Sequence, residues 1–185
     1  MEITENKELA GVFEIHLAAR QDERGFFMRT FDWQLFSDMG FNTNWPQENH
    51  SRSNAKNTIR GLHFYLPPHG EAKMIRVIRG RIFDVVVDLR KNSPTFGHWE
   101  SFDLHDEDFK WLYIPAGFAH GFCTLEQRSE ILYKHEKYFS SEIDSGIFWN
   151  DPDLKISWPV QDPIISAKDK GLMSMRRFIE LYGGI

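Results

Sequence analysis

The chain has 185 residues, of which 41% are hydrophobic, 26% are charged and 15% are aromatic. This balance predicts one globular domain that spans residues 1–185 and encloses a hydrophobic core. The formal net charge of −5 argues against a main role in nucleic-acid binding, because phosphate backbones are bound by basic faces. The single cysteine, Cys123, excludes an intrachain disulfide. Its apolar neighbours predict a buried and unreactive thiol.

The N-terminal segment has no basic stretch followed by an apolar run, so it does not resemble a signal peptide. No stretch approaches the length of about 18 apolar residues that a membrane-spanning helix needs. We therefore expect no contact with a membrane and infer a cytoplasmic location.

Turn signals are scattered along the chain at short intervals, and the runs between them are rich in β-branched and aromatic residues. Such spacing predicts an all-β sandwich or barrel with a few short peripheral helices. The first predicted helix is capped by Asp32 and carries Trp33, Phe36 and Met39. The clearest predicted strands are Lys73–Ile78, Arg81–Leu89, Lys110–Ile114, Gly121–Leu125 and Ile131–His135. Two helical signals follow: a capping box over Ser166–Asp169 and helical spacing over Arg176–Tyr182.

The segment Lys73–Leu89 is typical of a hairpin that turns at Arg79-Gly80. On its first strand, Lys73 shares a face with Ile75 and Val77. A lysine on an apolar face either reaches water from a strand end or lines a ligand cavity, and periodicity alone favours the first interpretation.

Among the eight histidines, His63 and His120 lie in apolar β-like runs, where a lone histidine is more often a hydrogen-bonded core residue than a catalyst. Pro115, Gly117 and His120 match the second half of the cupin signature. The first half is incomplete, because the two residues after His63 are Phe64 and Tyr65 and the only later acidic candidate is Glu71. First-row metals usually need three or more side-chain ligands. We therefore predict a cupin scaffold without a metal.

The sequence contains no nucleophile elbow, no dinucleotide-binding glycine motif and no Walker loop. A histidine, a lysine and a tyrosine in a β cavity suit proton abstraction beside a carbonyl group. The histidine takes the proton, the lysine stabilises the enolate, and the tyrosine returns a proton on the other face. These residues alone do not distinguish an enzyme from a plain binding pocket.

Nine segments between about Gly11 and Asp169 together resemble the dTDP-4-dehydrorhamnose 3,5-epimerase family and follow its order. They are Asp22–Phe27, Gln47–Ser53, Arg60–Phe64, Ala72–Val77, Arg79–Val85, Ser93–Gly97, Ile114–Phe122, Leu132–Lys134 and Trp149–Leu154. The resemblance implies a homodimeric cupin-type jelly roll that works without a metal or an organic cofactor. It also implies a nucleotide-diphosphate-linked 4-keto-6-deoxy sugar as substrate, inverted at C3, at C5 or at both.

The resemblance assigns four catalytic residues. His63 is the base, Asp169 orients it, Tyr133 is the acid on the opposite face, and Lys73 stabilises the enolate oxygen. The expected substrate-binding residues are Arg24, Phe27, Arg29, Gln47, Asn49, Arg60, His120 and Tyr138. The segment Arg24–Phe27 is expected to reach the nucleotide across the dimer interface.

Three residues depart from the family pattern. Arg29 stands where a glutamate is common, Tyr65 where a glutamine is common, and Phe139 where a tyrosine is common. These changes leave the nucleotide and the sugar open, so a GDP- or CDP-linked sugar is an alternative. A 3,4-ketoisomerase and a non-catalytic sugar-nucleotide-binding cupin are further alternatives. Both are less favoured, because His63 and Tyr133 are both present.

Overall fold

The computed structural model describes residues 1–185 and consists of two large antiparallel sheets packed face to face. The first sheet has the order β1-β2-β10-β7-β12-β5, with β1 at Glu2–Glu5, β2 at Phe13–His16, β10 at Lys110–Ile114, β7 at Lys73–Arg79, β12 at Ser129–His135 and β5 at Gln47–Ser53. The second has the order β13-β6-β11-β8-β9, with β13 at Asp144–Gly146, β6 at Ile59–Tyr65, β11 at Phe118–Thr124, β8 at Arg81–Asp88 and β9 at Trp99–His105. This confirms the predicted all-β jelly roll, a sandwich of the cupin type.

A separate two-stranded sheet and three short helices lie outside the sandwich. The small sheet pairs β3 (Arg20–Asp22) with β4 (Gly25–Phe27). The helices are α1 (Trp33–Asp38), α2 (Ala167–Lys170) and α3 (Met175–Tyr182). None of them is long and apolar enough to cross a membrane.

Each helix begins at a residue whose side chain accepts a hydrogen bond from a free backbone N–H of the first turn. Asp32 caps α1, Ser166 caps α2 and Ser174 caps α3. The predicted helix near Asp32 is therefore confirmed, but only Phe36 of its three apolar residues is buried. Trp33 and Met39 are exposed.

The predicted hairpin between β7 and β8 is wrong. Strand β7 pairs with β10 and β12 in the first sheet, whereas β8 pairs with β11 and β9 in the second. Gly80 is the only residue between them and has a positive φ of 79°, and one residue is shorter than the favoured two-residue hairpin turn. The chain therefore crosses at Gly80 from one sheet to the other.

The inward faces of β7 and β8 meet in the core because of this crossing. Ile75 and Val77 of the first sheet pack in one buried cluster with Ile82 and Val86 of the second. Cys123 is also fully buried, as predicted, and burial raises the pKa of its thiol to about 11. The hydrophobic core does not occupy the whole space between the two sheets. Toward one side of the sandwich, polar side chains replace the apolar ones.

Candidate active site

A cavity of about 550 Å³ opens between the two sheets. That volume lies within the range of small-molecule sites. Its wall contains side chains from β5, β6, β7, β11, β12 and β13, together with the segment 164–169 that leads into α2. The alternation along each strand explains this: on β7, Val77 and Ile75 face the core and Lys73 faces the cavity, and on β12, Ile131 is followed by Tyr133 and His135.

Seven of the twelve residues expected to form the site line this cavity: His63, Tyr133, Asp169, Lys73, Asn49, Arg60 and His120. The other five, Arg24, Phe27, Arg29, Gln47 and Tyr138, do not line it within this chain.

His63 and Asp169 form a hydrogen-bonded pair between β6 and α2. The His63 Nε2 atom lies 2.9 Å from Asp169 Oδ1, and the Gly61 N–H donates to Asp169 Oδ2 at 3.1 Å. Burial would raise the pKa of Asp169, but the hydrogen bond and charge of His63, together with the Gly61 N–H, outweigh burial and hold that pKa below its ordinary value. The ionised carboxylate accepts a hydrogen bond from Nε2–H of His63, which leaves Nδ1 as the ring nitrogen with a free lone pair.

Only one of the two hydrogen bonds of the predicted capping box at Ser166–Asp169 is present. Ser166 Oγ accepts from the Asp169 N–H at 3.0 Å, so Ser166 begins the helix. The Asp169 carboxylate does not return a bond to Ser166 but turns to His63 and Gly61 instead.

Gly61 permits the close approach on which the Asp169 contact depends. Its φ is 113°, and a Cβ atom there would lie 2.7 Å from His120 O and 2.7 Å from Gly121 Cα. The ladder between β6 and β11 changes register at this point, and it places His120 directly opposite His63. Only glycine fits this conformation and this gap.

Tyr133 lies on β12, so it faces the cavity from the sheet opposite His63. Burial raises the pKa of its phenol to about 12, so the hydroxyl remains protonated at neutral pH. The hydroxyl also forms a hydrogen bond of 2.9 Å with Ser51 Oγ. Sequence reasoning missed Ser51, although its place two residues beyond Asn49 on the same face of β5 could have indicated it.

His120 has a carboxylate partner of its own on the neighbouring strand. Its Nε2 atom lies 2.7 Å from Asp84 Oδ2, and both side chains are buried. Burial lowers the pKa of His120 despite the opposing effect of Asp84, so the ring is neutral at pH 7. Asp84 was also missed; its only sequence signal is an acid within the apolar run of β8.

Lys73 and His135 share the carboxylate of Glu71. Glu71 Oε1 lies 3.3 Å from Lys73 Nζ, and Glu71 Oε2 lies 3.2 Å from His135 Nδ1. Sequence reasoning gave His135 no role, but its side chain lines the cavity. His50, in contrast, is exposed and pairs with Glu130 outside the cavity.

Arg60 and Asn49 are held at the cavity wall by neighbours behind them. Arg60 Nε donates to Ser53 Oγ at 3.2 Å. Gln47 Nε2 donates to Asn49 Oδ1 at 3.4 Å, while Gln47 Oε1 accepts from the Phe139 N–H at 2.9 Å. Gln47 therefore supports the wall rather than forming it.

The remaining expected binding residues lie at the surface. Tyr138 is 73% exposed and Phe27 is 76% exposed. Arg24 pairs with Asp22 inside the β3–β4 hairpin, and Arg29 pairs with Asp32 at 2.6 Å. Within one chain, none of these four side chains lines the cavity wall.

No group of three or more His, Cys, Asp and Glu side chains is arranged to hold a metal ion. Each histidine of the wall is instead matched to one carboxylate: His63 to Asp169, His120 to Asp84 and His135 to Glu71. A neutral imidazole on one sheet and a protonated phenol on the other can act on opposite faces of one bound molecule.

A jelly roll that opposes a base and an acid across one cavity has the construction of a racemase or epimerase. The family model described as dTDP-4-dehydrorhamnose 3,5-epimerase matches residues 6–177. The chain belongs to this family and is an epimerase, an enzyme of the isomerase class.

Several proteins are similar to this chain over most of its length. A dTDP-4-dehydrorhamnose 3,5-epimerase of Shigella flexneri is 46% identical over 149 residues, which cover 80% of this chain and 82% of the relative. The crystal structure of such an epimerase from Bacillus anthracis, with TDP and PPi bound, has a TM-score of 0.90 at 40% identity and covers 94% of this chain and 99% of its own. The corresponding enzyme of Legionella pneumophila, in complex with dTDP-4-keto-L-rhamnose, has a TM-score of 0.88 at 34% identity, with 95% and 93% covered.

Proposed function

We propose that this epimerase inverts both C3 and C5 of a dTDP-linked 4-keto-6-deoxy sugar. The observation that carries the proposal is the placement of the His63–Asp169 pair and of Tyr133 on opposite sheets of one cavity. The similarity to the Shigella enzyme and to the Legionella complex supports the double inversion and the thymidine nucleotide.

The proposed chemistry begins with a carbon next to the C4 ketone. His63 Nδ1 takes the proton of that carbon, and the electron pair of the broken C–H bond moves onto the C4 oxygen as an enolate. Lys73 then stabilises the negative charge with its ammonium group. Asp169 holds the imidazole in the tautomer that has a free Nδ1 and stabilises the imidazolium that forms.

Reprotonation from the other face completes each inversion. Tyr133 gives its hydroxyl proton to the same carbon, the enolate returns to the ketone, and the configuration of that carbon is inverted. Solvent then restores the two protonation states before the second carbon reacts.

Recognition of the substrate is proposed to use the rest of the wall. Arg60, His120 and Asn49 line the cavity and would bind the sugar and diphosphate groups. Gln47 would act by supporting Asn49.

The exposed residues Arg24, Phe27, Arg29 and Tyr138 are proposed to contact the nucleotide in a homodimer. The β3–β4 hairpin presents Phe26 and Phe27 to solvent, and such apolar exposure favours a protein contact. Light scattering on the purified chain tests the dimer, and a mass equal to that of one chain would contradict it.

Deuterium incorporation tests the reaction. In heavy water, a dTDP-linked 4-keto-6-deoxy sugar should gain deuterium at both C3 and C5, as followed by NMR. Absence of exchange with dTDP-, GDP- and CDP-linked substrates would defeat the epimerase assignment. Exchange at one carbon would reduce the function to a monoepimerase, and migration of the ketone to C3 would indicate a ketoisomerase.

A further inference from the structure

Glu71 is a buried carboxylate with two cationic or proton-donating neighbours in the cavity wall. Its side chain is 4% exposed, and that of Lys73 is 8% exposed. One carboxylate oxygen lies 3.3 Å from Lys73 Nζ and the other 3.2 Å from His135 Nδ1. No other carboxylate lies within ion-pair distance of Lys73.

The backbone around Glu71 is fixed to the end of strand β12. The Ala72 N–H donates to Glu136 Oε2 at 2.9 Å, and Ala72 O accepts from the Glu136 N–H at 3.1 Å. Lys73 itself lies opposite His135 in the ladder between β7 and β12. Glu71 and Lys73 are two residues apart in this extended segment, so their side chains point to the same side.

The charge of Glu71 is stabilised although it is buried. Burial would raise its pKa, but the hydrogen bond of His135 and the positive charge of Lys73 outweigh burial and leave the pKa below its ordinary value. The other ionisable groups that line this part of the wall are Tyr133 and His135 on β12, His63 and Tyr65 on β6, His120 on β11 and Asp144 on β13, with Asp84 on β8 behind His120. Among the carboxylates, only Glu71 forms an ion pair with Lys73.

We propose that Glu71 is a positioning residue for the epimerase reaction, holding the Lys73 ammonium at the site of the enolate oxygen while His135 fixes the second carboxylate oxygen. This inference rests on the proposed function of Lys73. A lysine has a flexible stem and three N–H donors. Glu71 takes one donor, which orients the ammonium and leaves two donors for the substrate.

The carboxylate also compensates the positive charge of Lys73 in a buried setting. Lys73 is largely removed from water, and a buried charge is costly unless it is paired. Without Glu71, the ammonium would have no carboxylate within ion-pair distance to hold it beside the enolate oxygen.

Glu71→Gln tests the proposal, because it keeps the shape of the side chain and removes its charge. We expect kcat at neutral pH to fall about tenfold, a part of what loss of a direct oxyanion donor costs, with KM changed less. A fall of kcat with little change of KM indicates lost transition-state stabilisation rather than lost substrate binding. Retention of kcat within about twofold, or a rise of KM that accounts for the whole loss, would overturn the proposal.

Glu130→Gln is the matched control, since Glu130 forms a carboxylate–histidine pair with His50 on the outside of the same sheet, with Oε2 3.0 Å from Nε2. It should leave both kcat and KM unchanged. If the wild-type protein exchanges no deuterium, the proposed epimerase function itself is wrong. That outcome differs from a wild-type protein that exchanges deuterium and a Glu71 variant with unchanged kcat, which contradicts only the role of Glu71.

Glu71→Asp decides the question if Glu71→Gln does not fold. The shorter side chain retains the charge but cannot reach both partners, so kcat should fall with KM changed less. An unchanged kcat in this variant would overturn the positioning role.

Discussion

His63 and Tyr133 lie in different surroundings, which suit the opposite proton-transfer roles proposed for them. His63 has one ring nitrogen bound to the buried carboxylate of Asp169 and the other without a partner in the chain. Tyr133 is buried on the facing sheet, and burial raises the pKa of its hydroxyl to about 12. The protein therefore presents a proton acceptor and a proton donor at the same pH, as an inversion requires.

Tyr133→Phe should separate proton removal from inversion. The ring and its packing remain, but the donor hydroxyl is lost, so inversion should fall by about 100-fold or more. Exchange of substrate protons with heavy water, which the proposed mechanism assigns to His63, should fall much less. Comparing deuterium uptake with product formation by NMR measures both steps.

The control is Tyr113→Phe, which removes another buried phenol that lies in an apolar cluster outside the cavity. It should keep both rates. Equal losses of exchange and inversion in Tyr133→Phe would contradict the assignment of Tyr133 as the second proton donor.

Strands β6 and β11 bring two histidines into register by means of a glycine. At Gly61 the backbone has a positive φ and lies against the backbone of β11, while its N–H bonds to Asp169. The strand pair thus positions the base through the main chain as well as through side chains.

Gly61→Ala should lower the free energy of unfolding by about 2 kcal/mol or more, because the added Cβ meets backbone atoms in a strained conformation. Activity should fall as well, since the contact with Asp169 is displaced. Gly40→Ala is the control, because Gly40 also has a positive φ but no atom near its Cβ position. Thermal or urea unfolding of both variants gives the comparison, and equal destabilisation would exclude the close-approach argument.

Local patterns predicted the elements better than their partners. The strand at Lys73 was predicted almost to its ends, yet its pairing was predicted wrongly, because alternation shows which face is buried and not which strand lies beside it. Asp169 is 106 positions from His63, so only the family resemblance could connect them. Ser51 and Asp84 were missed, and Glu71 was considered only as a metal ligand, because their contacts exist only after the sheets have formed.

At the scale of the whole molecule, most buried polar side chains are paired, and the buried side-chain atoms without a partner are Trp45 Nε1, Arg76 Nε and Asp84 Oδ1. The loop after β8 shows this away from the cavity, where the fully buried Asp88 accepts from Arg90, Ser93 and Thr95. Burial would raise the pKa of Asp88, but these hydrogen bonds outweigh it and lower the pKa to about 2. The end of β8 and the loop that follows are thereby fastened together.

The acid stability of the whole fold should depend on this group. A folded-state pKa below the unfolded value means that the stabilisation is present above about pH 4 and is lost as pH falls through about 2. Asp88→Asn should lower the free energy of unfolding by about 2 kcal/mol at pH 7. Its stability should also depend less on pH between about 4 and 2.

Urea unfolding of the wild type and of Asp88→Asn across that pH range measures both effects. Asp103→Asn is the control, because Asp103 forms an ion pair with Arg81 that is about half exposed, and exposed pairs contribute little. Parallel pH curves for the wild type and Asp88→Asn would contradict the prediction.

The one-residue crossing at Gly80 has a consequence for what the cavity can hold. It ties β7, which carries Lys73, to β8, which carries Asp84, without a loop that could lengthen. Facing sheets pack about 10 Å apart, and this short link fixes their spacing at the core end of β7, away from Lys73. Any widening that a larger ligand needs would therefore have to come from the Lys73 end, where this crossing does not tie the two sheets together.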